Sequence, residues 1–205
     1  YWNSIRNGRA APRRDEVEPS DIRHLLLDTF ILEVSGQMRT ISYRLAGTRL
    51  CAAFGRELKG YGFFGHWDET DCFEVAKLLG RVYRDFQPLV LVMRGFTESG
   101  KHVDYEMIAL PLEPMADGSI RILGIATPDK DHFWIGTEPL VNCKLRSMRH
   151  LQEGDTVAHD APSLAPSLLP GGTGFDSEMD DQEIGSAVKL SKKVAHLVVH
   201  DGGKD

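Results

Sequence analysis

The sequence predicts an α+β domain: a five-stranded antiparallel sheet with helices on one face and a helical segment ahead of it. Three observations carry that reading. Two strand-like runs, the second alternating apolar with polar residues, precede one long amphipathic helix. Three further strand-like runs follow the helix. Ser99-Gly100 and Asp117-Gly118 separate those three as hairpin turns, which makes them an antiparallel meander.

Tyr1, Trp2 and Ile5 ahead of Gly8 read as a short amphipathic helix with a glycine stop. A polar link over 9–18 contains Pro12. Pro19-Ser20-Asp21 reads as a second helix start, with Ile22, Leu25 and Leu26 on one face. From Asp28 the period changes to strands at 30–34 and 40–46, with Ser35-Gly36-Gln37 as the turn. Ile41, Tyr43 and Leu45 alternate with polar or small neighbours, as in a half-buried strand. Short helices fit 49–54 and 56–59. The longest helix starts at Asp68-Glu69-Thr70-Asp71, whose acidic residues suit a helix N-terminus. Phe73, Val75, Leu78, Leu79, Val82 and Tyr83 give it an apolar face. Strands at 88–97, 102–112 and 119–127 complete the sheet, with the first strand expected to be central and beside the last. Beyond Pro128, 133–135 and 140–148 fit one more helix or a strand pair. Residues 152–182 are rich in Pro, Gly, Ser and Asp and read as a disordered linker. At the end, 194–199 reads as a strand. The expected divisions are an N-terminal helical segment (1–27), a core domain (28–128), an accessory extension (129–151), an acidic linker (152–183) and a short C-terminal motif (184–205).

Charge is unevenly placed. The formal net charge is −6, with ten acidic residues and four lysines after His150 and an even balance before it. No dense basic surface marks the chain for nucleic acid. Cys51, Cys72 and Cys143 are odd in number and widely spaced, which suits free thiols in a reducing, cytoplasmic compartment. No apolar run approaches the roughly 20 residues that span a bilayer.

Several local sequences occur together: Tyr1-Trp2, Gly8-Arg9 and Pro12, Tyr43-Arg44-Leu45-Ala46-Gly47-Thr48-Arg49, Gly55-Arg56-Glu57-Leu58-Lys59-Gly60, Ala109-Leu110-Pro111-Leu112 and Ile122-Leu123-Gly124-Ile125-Ala126. With them, the chain over about 1–151 resembles the single-domain PAS family of alphaproteobacteria, formerly a domain of unknown function. His196-Leu197-Val198-Val199-His200-Asp201-Gly202-Gly203-Lys204 is similar to a short C-terminal motif of that family. The resemblance implies a PAS-like fold and a regulatory, non-catalytic bacterial module without an attached kinase or cyclase.

No residue constellation in the sequence points to a specific chemistry. Cys51 lacks the segment that covalent flavin photochemistry needs, and residues 71–85 contain no axial histidine for haem. Both cofactors are disfavoured, and none is assigned. His66 reads as a loop histidine. The scattered histidines give no metal site, no Gly-x-Ser-x-Gly elbow occurs, and Gly171-Gly172-Thr173-Gly174 lacks the strand and helix of a phosphate loop. No catalytic residue is assigned. Asp104 and Glu106 alternate along one strand and read as a solvated sheet face.

Two groups of candidates remain. Tyr43, Arg49, Cys51, Phe54, Arg94 and Tyr105 are expected to line a ligand cavity between the long helix and the inner sheet face, the arginines clamping an anion if they face inward. Tyr1, Trp2, Ile5, Ile108, Leu110 and Leu112 are interface candidates. The strand holding the last three turns apolar on both faces, so its outer face must be covered by the N-terminal helix or by a second subunit. The expected function is sensing or signal relay through a small ligand, a regulatory protein partner, or both. The alternative is a ligand-free interaction adaptor that dimerises.

Overall fold

The computed structural model describes residues 1–35 and 40–151, with the backbone of 193–194 and 197–198. The chain divides into two units, Tyr1–Asp155 and Thr156–Asp205. In the first, the apolar alternation becomes six antiparallel strands: β1 (Thr29–Ser35), β2 (Thr40–Ala46), β3 (Leu89–Thr97), β4 (His102–Pro111), β5 (Ile120–Pro128) and β6 (Leu140–His150). Their order across the sheet is β2-β1-β5-β4-β3-β6. All five expected strands are present, and β1 lies between β2 and β5. The strand count is corrected from five to six. Residues 140–150 form one edge strand, paired with β3 through a register that slips at Val92/Met93 and Phe96/Thr97. Those slips break the period-two pattern by which a strand is read.

The helices are α1 (Trp2–Ile5), α2 (Thr48–Ala53) and α3 (Glu69–Arg84), with 3-10 turns at Arg14–Glu16, Arg23–Leu25 and Phe63–His66. The helix start read at 19–21 yields only the turn Arg23–Leu25, and 56–59 is not helical. In α3, the Asp68 carboxylate caps the helix by accepting the Thr70 amide at 3.2 Å. Val75, Leu78, Leu79 and Val82 recur at helical spacing and are buried.

Strand alternation sorts the sheet into two faces. Phe30, Leu32, Tyr43, Leu91, Met93, Tyr105 and Met107 point inward and join the α3 face in one core. Ile31, Leu110, Leu112 and Leu123 lie on the outer face. There they pack against Val17 and Ile22, with Trp2, Ile5 and Ile108 partly buried beside them. The Trp2 indole donates to the Pro111 carbonyl at 2.9 Å. Arg9 bridges Glu16 at 2.6 Å and Glu113 at 3.2 Å, and the Glu113 amide donates to the Pro12 carbonyl. Cover for this part of the outer face is therefore supplied by the same chain.

Both sheet edges meet backbone from elsewhere. On β2, Tyr43 donates to the Tyr61 carbonyl at 2.9 Å and accepts from the Gly60 amide at 2.7 Å. On β6, the Cys143 carbonyl accepts from the Asp68 amide at 2.7 Å. The Leu145 amide donates to the Asp71 carboxylate at 2.7 Å.

In the second unit, β7 (Lys193–Val194) and β8 (Leu197–Val198) pair antiparallel, where a single terminal strand was expected. The linker of 152–183 lies outside the described residues. So do the C-terminal motif, apart from those four positions, and the turn glycine Gly36.

Gly124 faces the inner core, where a Cβ would sit 2.0 Å from the fully buried Phe30 ring. Gly124→Ala is expected to destabilise the domain by about 2–3 kcal/mol through overpacking. Chemical denaturation of the double-mutant cycle with Phe30→Leu checks this: the second change should cost less in the Gly124→Ala background than alone. Trp2→Ala removes a half-buried ring and its bond to Pro111. It should cost about 2 kcal/mol, read as a fall of about 4–8 °C in melting temperature. An unchanged melting temperature would mean that the N-terminal segment does not hold the outer face.

Candidate functional site

The inner face of β1 and β2 is roofed by α2, the 55–62 loop and the turn Phe63–His66. The backbone bonds between Tyr43 and Gly60–Tyr61 hold that loop against β2. The loop thereby brings Tyr61 and His66 onto the side chains that α2 and β2 present. The His66 imidazole lies against Phe54 (ring centroids 4.1 Å apart) and stacks on Tyr61 (4.8 Å, interplanar 26°). Tyr43 is 6.4 Å from it and contacts Phe30 and Phe63 in turn. The Arg56 guanidinium sits 5.2 Å over the Tyr61 ring.

His66 is buried, and its Nε2 has no hydrogen-bond partner among the described residues. Burial, and then the positive charge of Arg56, push its pKa down to about 4. The ring is therefore neutral at physiological pH, with one polar atom facing apolar surroundings. Such an atom is costly unless something satisfies it. Burial also drives the Tyr43 and Tyr105 phenols well above their ordinary range, so both stay protonated. A cluster of this kind offers aromatic contact and hydrogen bonding.

The structure brings four of the six expected cavity residues to this side. Tyr43, Phe54 and Tyr105 are buried in the inner core. Cys51 is half-buried against it, its thiol 3.8 Å from the Ala46 carbonyl and raised in pKa mainly by burial. The two arginines are engaged elsewhere. Arg49, on α2, donates to the buried Asp28 carboxylate at 2.7 Å. Arg94 shares the outer face with its cross-strand partner Asp104 and holds it bidentately at 2.6 and 2.7 Å. Neither arginine lines the aromatic cluster. The inward positions of β3 are Leu89, Leu91 and Met93, so residue 94 must point out.

Of the interface candidates, Trp2, Ile5, Ile108, Leu110 and Leu112 meet in the outer cluster. Tyr1 is largely exposed and ties the segment through its hydroxyl, which accepts from the Glu18 amide at 2.8 Å. Trp67 is buried and packs on Phe63. The sequence reading missed Tyr61 and the buried setting of His66. The available signal was the run of aromatics at Tyr61, Phe63, Phe64 and Trp67 around a lone histidine.

The family described as PAS domain matches residues 1–127, more than half of the chain and including the N-terminal segment. No curated protein matches the chain. Among the described residues, no helix is long and apolar enough to cross a membrane, and no group of metal-ligating side chains gathers.

The His66 setting predicts acid sensitivity. Its folded pKa of about 4 lies below the ordinary 6.5, so the unfolded chain binds the proton more tightly. Stability should fall as pH drops through about 6.5 and level off below about 4, a loss of about 3 kcal/mol. Asp68, held down to about 2 by Thr70 and Asn142, acts in the same direction but only below its ordinary 3.8. Denaturation curves across the two windows separate them. In His66→Phe the loss in the upper window should vanish, and a slope equal to the parent's would assign it to other groups.

Proposed function

Because the chain belongs to the PAS domain family, a family of sensor and signalling modules that are generally non-catalytic, we propose that it is a bacterial cytoplasmic sensor that relays a small-molecule signal to a regulatory protein. The ligand lies between α3 and the inner sheet face, against Tyr43, Cys51, Phe54, Tyr105 and His66. One observation carries this reading: the buried His66 Nε2 is left without a partner among aromatic rings. A mostly apolar ligand with a single hydrogen-bonding group would satisfy that atom and gain contact area from Phe54 and Tyr61. Closing the contact would act on α2 and on the 55–62 loop, which is bonded to β2, so occupancy could reach the sheet edge.

The second reading is a ligand-free adaptor that works by dimerisation or partner binding. It is favoured by the direct ring contacts of Phe54 and Tyr61 with His66 and of Phe63 with Tyr43.

Native mass spectrometry of the full chain purified from its own host separates the two. The sensor reading predicts a retained mass above that of the chain, lost on denaturation and reduced at least tenfold in His66→Leu, with that variant still folded by circular dichroism. A bare chain mass, whether monomer or dimer, would instead support the adaptor.

A further inference from the structure

A second polar site lies on the opposite face of the sheet. Val92, Glu106 and Thr127 form one cross-strand row on the outer faces of β3, β4 and β5. The next row is Val90, Ile108 and Ile125, and on the other side stands the Arg94–Asp104 pair. Glu106 is only 4% exposed and Thr127 only 8%. Both Glu106 carboxylate oxygens and the Thr127 hydroxyl are buried without a hydrogen-bond partner among the described residues. Burial raises the Glu106 pKa and the charge of Arg149 offsets part of that rise, yet neither carboxylate oxygen is hydrogen-bonded to the guanidinium. Arg94 is committed to Asp104.

We propose that Glu106 and Thr127 form a recessed binding site for an organic cation, a guanidinium or primary ammonium on a slim alkyl stem. Three oxygens on two adjacent side chains can accept hydrogen bonds there, and no donor among the described residues reaches them. An anion would be repelled by the carboxylate, and a neutral donor would leave its charge uncompensated. A hard metal ion takes six or more oxygen ligands, more than these two residues supply. A guanidinium matches a carboxylate bidentately and has N–H groups left for the hydroxyl. The aliphatic row of Val90, Ile108 and Ile125, together with Val92, would cover the methylenes of the stem. This site shares no residue with the aromatic cluster, so it stands whether or not that cluster holds a ligand.

The test titrates isotope-labelled full-length protein with agmatine, and separately with a capped leucine-rich helical peptide carrying one arginine. Backbone amide shifts of Val92, Glu106 and Thr127 report binding. Saturable shifts are expected, at least tenfold weaker in Glu106→Gln and several-fold weaker in Thr127→Val. Glu106→Gln should melt no lower than the parent at neutral pH, because it replaces a buried carboxyl group that makes no hydrogen bond among the described residues. Should it fail to fold, loss of binding by the parent on acidification, together with Thr127→Val, carries the same comparison. Tighter binding of the peptide identifies the cation as a protein side chain, and tighter binding of agmatine identifies a free small molecule. Absence of saturable shifts with both probes, or shifts that survive Glu106→Gln unchanged, would overturn the site.

Discussion

A sheet that is apolar on both faces has to be covered twice, and that requirement organises this domain. Met107 and Ala109 of β4 enter the inner core, while Leu110 of the same strand lies in the outer cluster. Leaving either side in water would forgo about 25 cal/mol for each Å² of apolar surface. The inner side is covered by α2 and α3, which the chain inserts between β2 and β3. The outer side has no helix of comparable length. It is covered by the N-terminal stretch, held by the Trp2–Pro111 bond and the Arg9 bridges to Glu16 and Glu113. Four residues of α1 could not persist alone. Their helical form depends on the sheet, as the outer sheet depends on them.

The double cover also explains where polar atoms become stranded. His66 is fixed by the loop that β2 holds in place, and none of the described groups around it hydrogen-bonds to its Nε2. Glu106 occupies the middle strand of an outer row flanked by Val92 and Thr127. Two other carboxylates are matched: Arg49 meets the buried Asp28, and Arg94 meets the part-buried Asp104 with two hydrogen bonds. These pairs show that the fold can compensate a carboxylate where a donor is in register. His66, Glu106 and Thr127 are among the buried side chains with a polar atom that no such donor meets.

Periodicity made much of this legible in advance. The five strands and α3 follow from alternation and helical spacing, which depend on local residues alone. The need for an outer cover was also legible, because Ile108, Leu110 and Leu112 share a face with Glu106. What failed to show depends on distant chain. β6 is an edge strand whose pairing slips twice, so no clean period survives in it. Arg94 was placed among inward candidates although Leu89, Leu91 and Met93 set the opposite phase. The environment of His66 arises from backbone bonds between Tyr43 and residues 60–61, which no local pattern encodes. Glu106 looked solvated because its strand neighbours are polar on one side, whereas its burial is set by adjacent strands.

The backbone bonds at the sheet margins have a consequence for how copies of this chain meet one another. An open strand edge is a template for the next molecule, and proteins suppress that route by covering it or charging it. Here β2 is capped by Gly60–Tyr61 and the first half of β6 by Asp68 and Asp71. Beyond Leu145 the edge carries the cationic residues Arg146 and Arg149, and charge along an edge disfavours pairing. Strand-by-strand growth into fibres is thereby opposed at both margins, and self-association of this unit is directed to its faces.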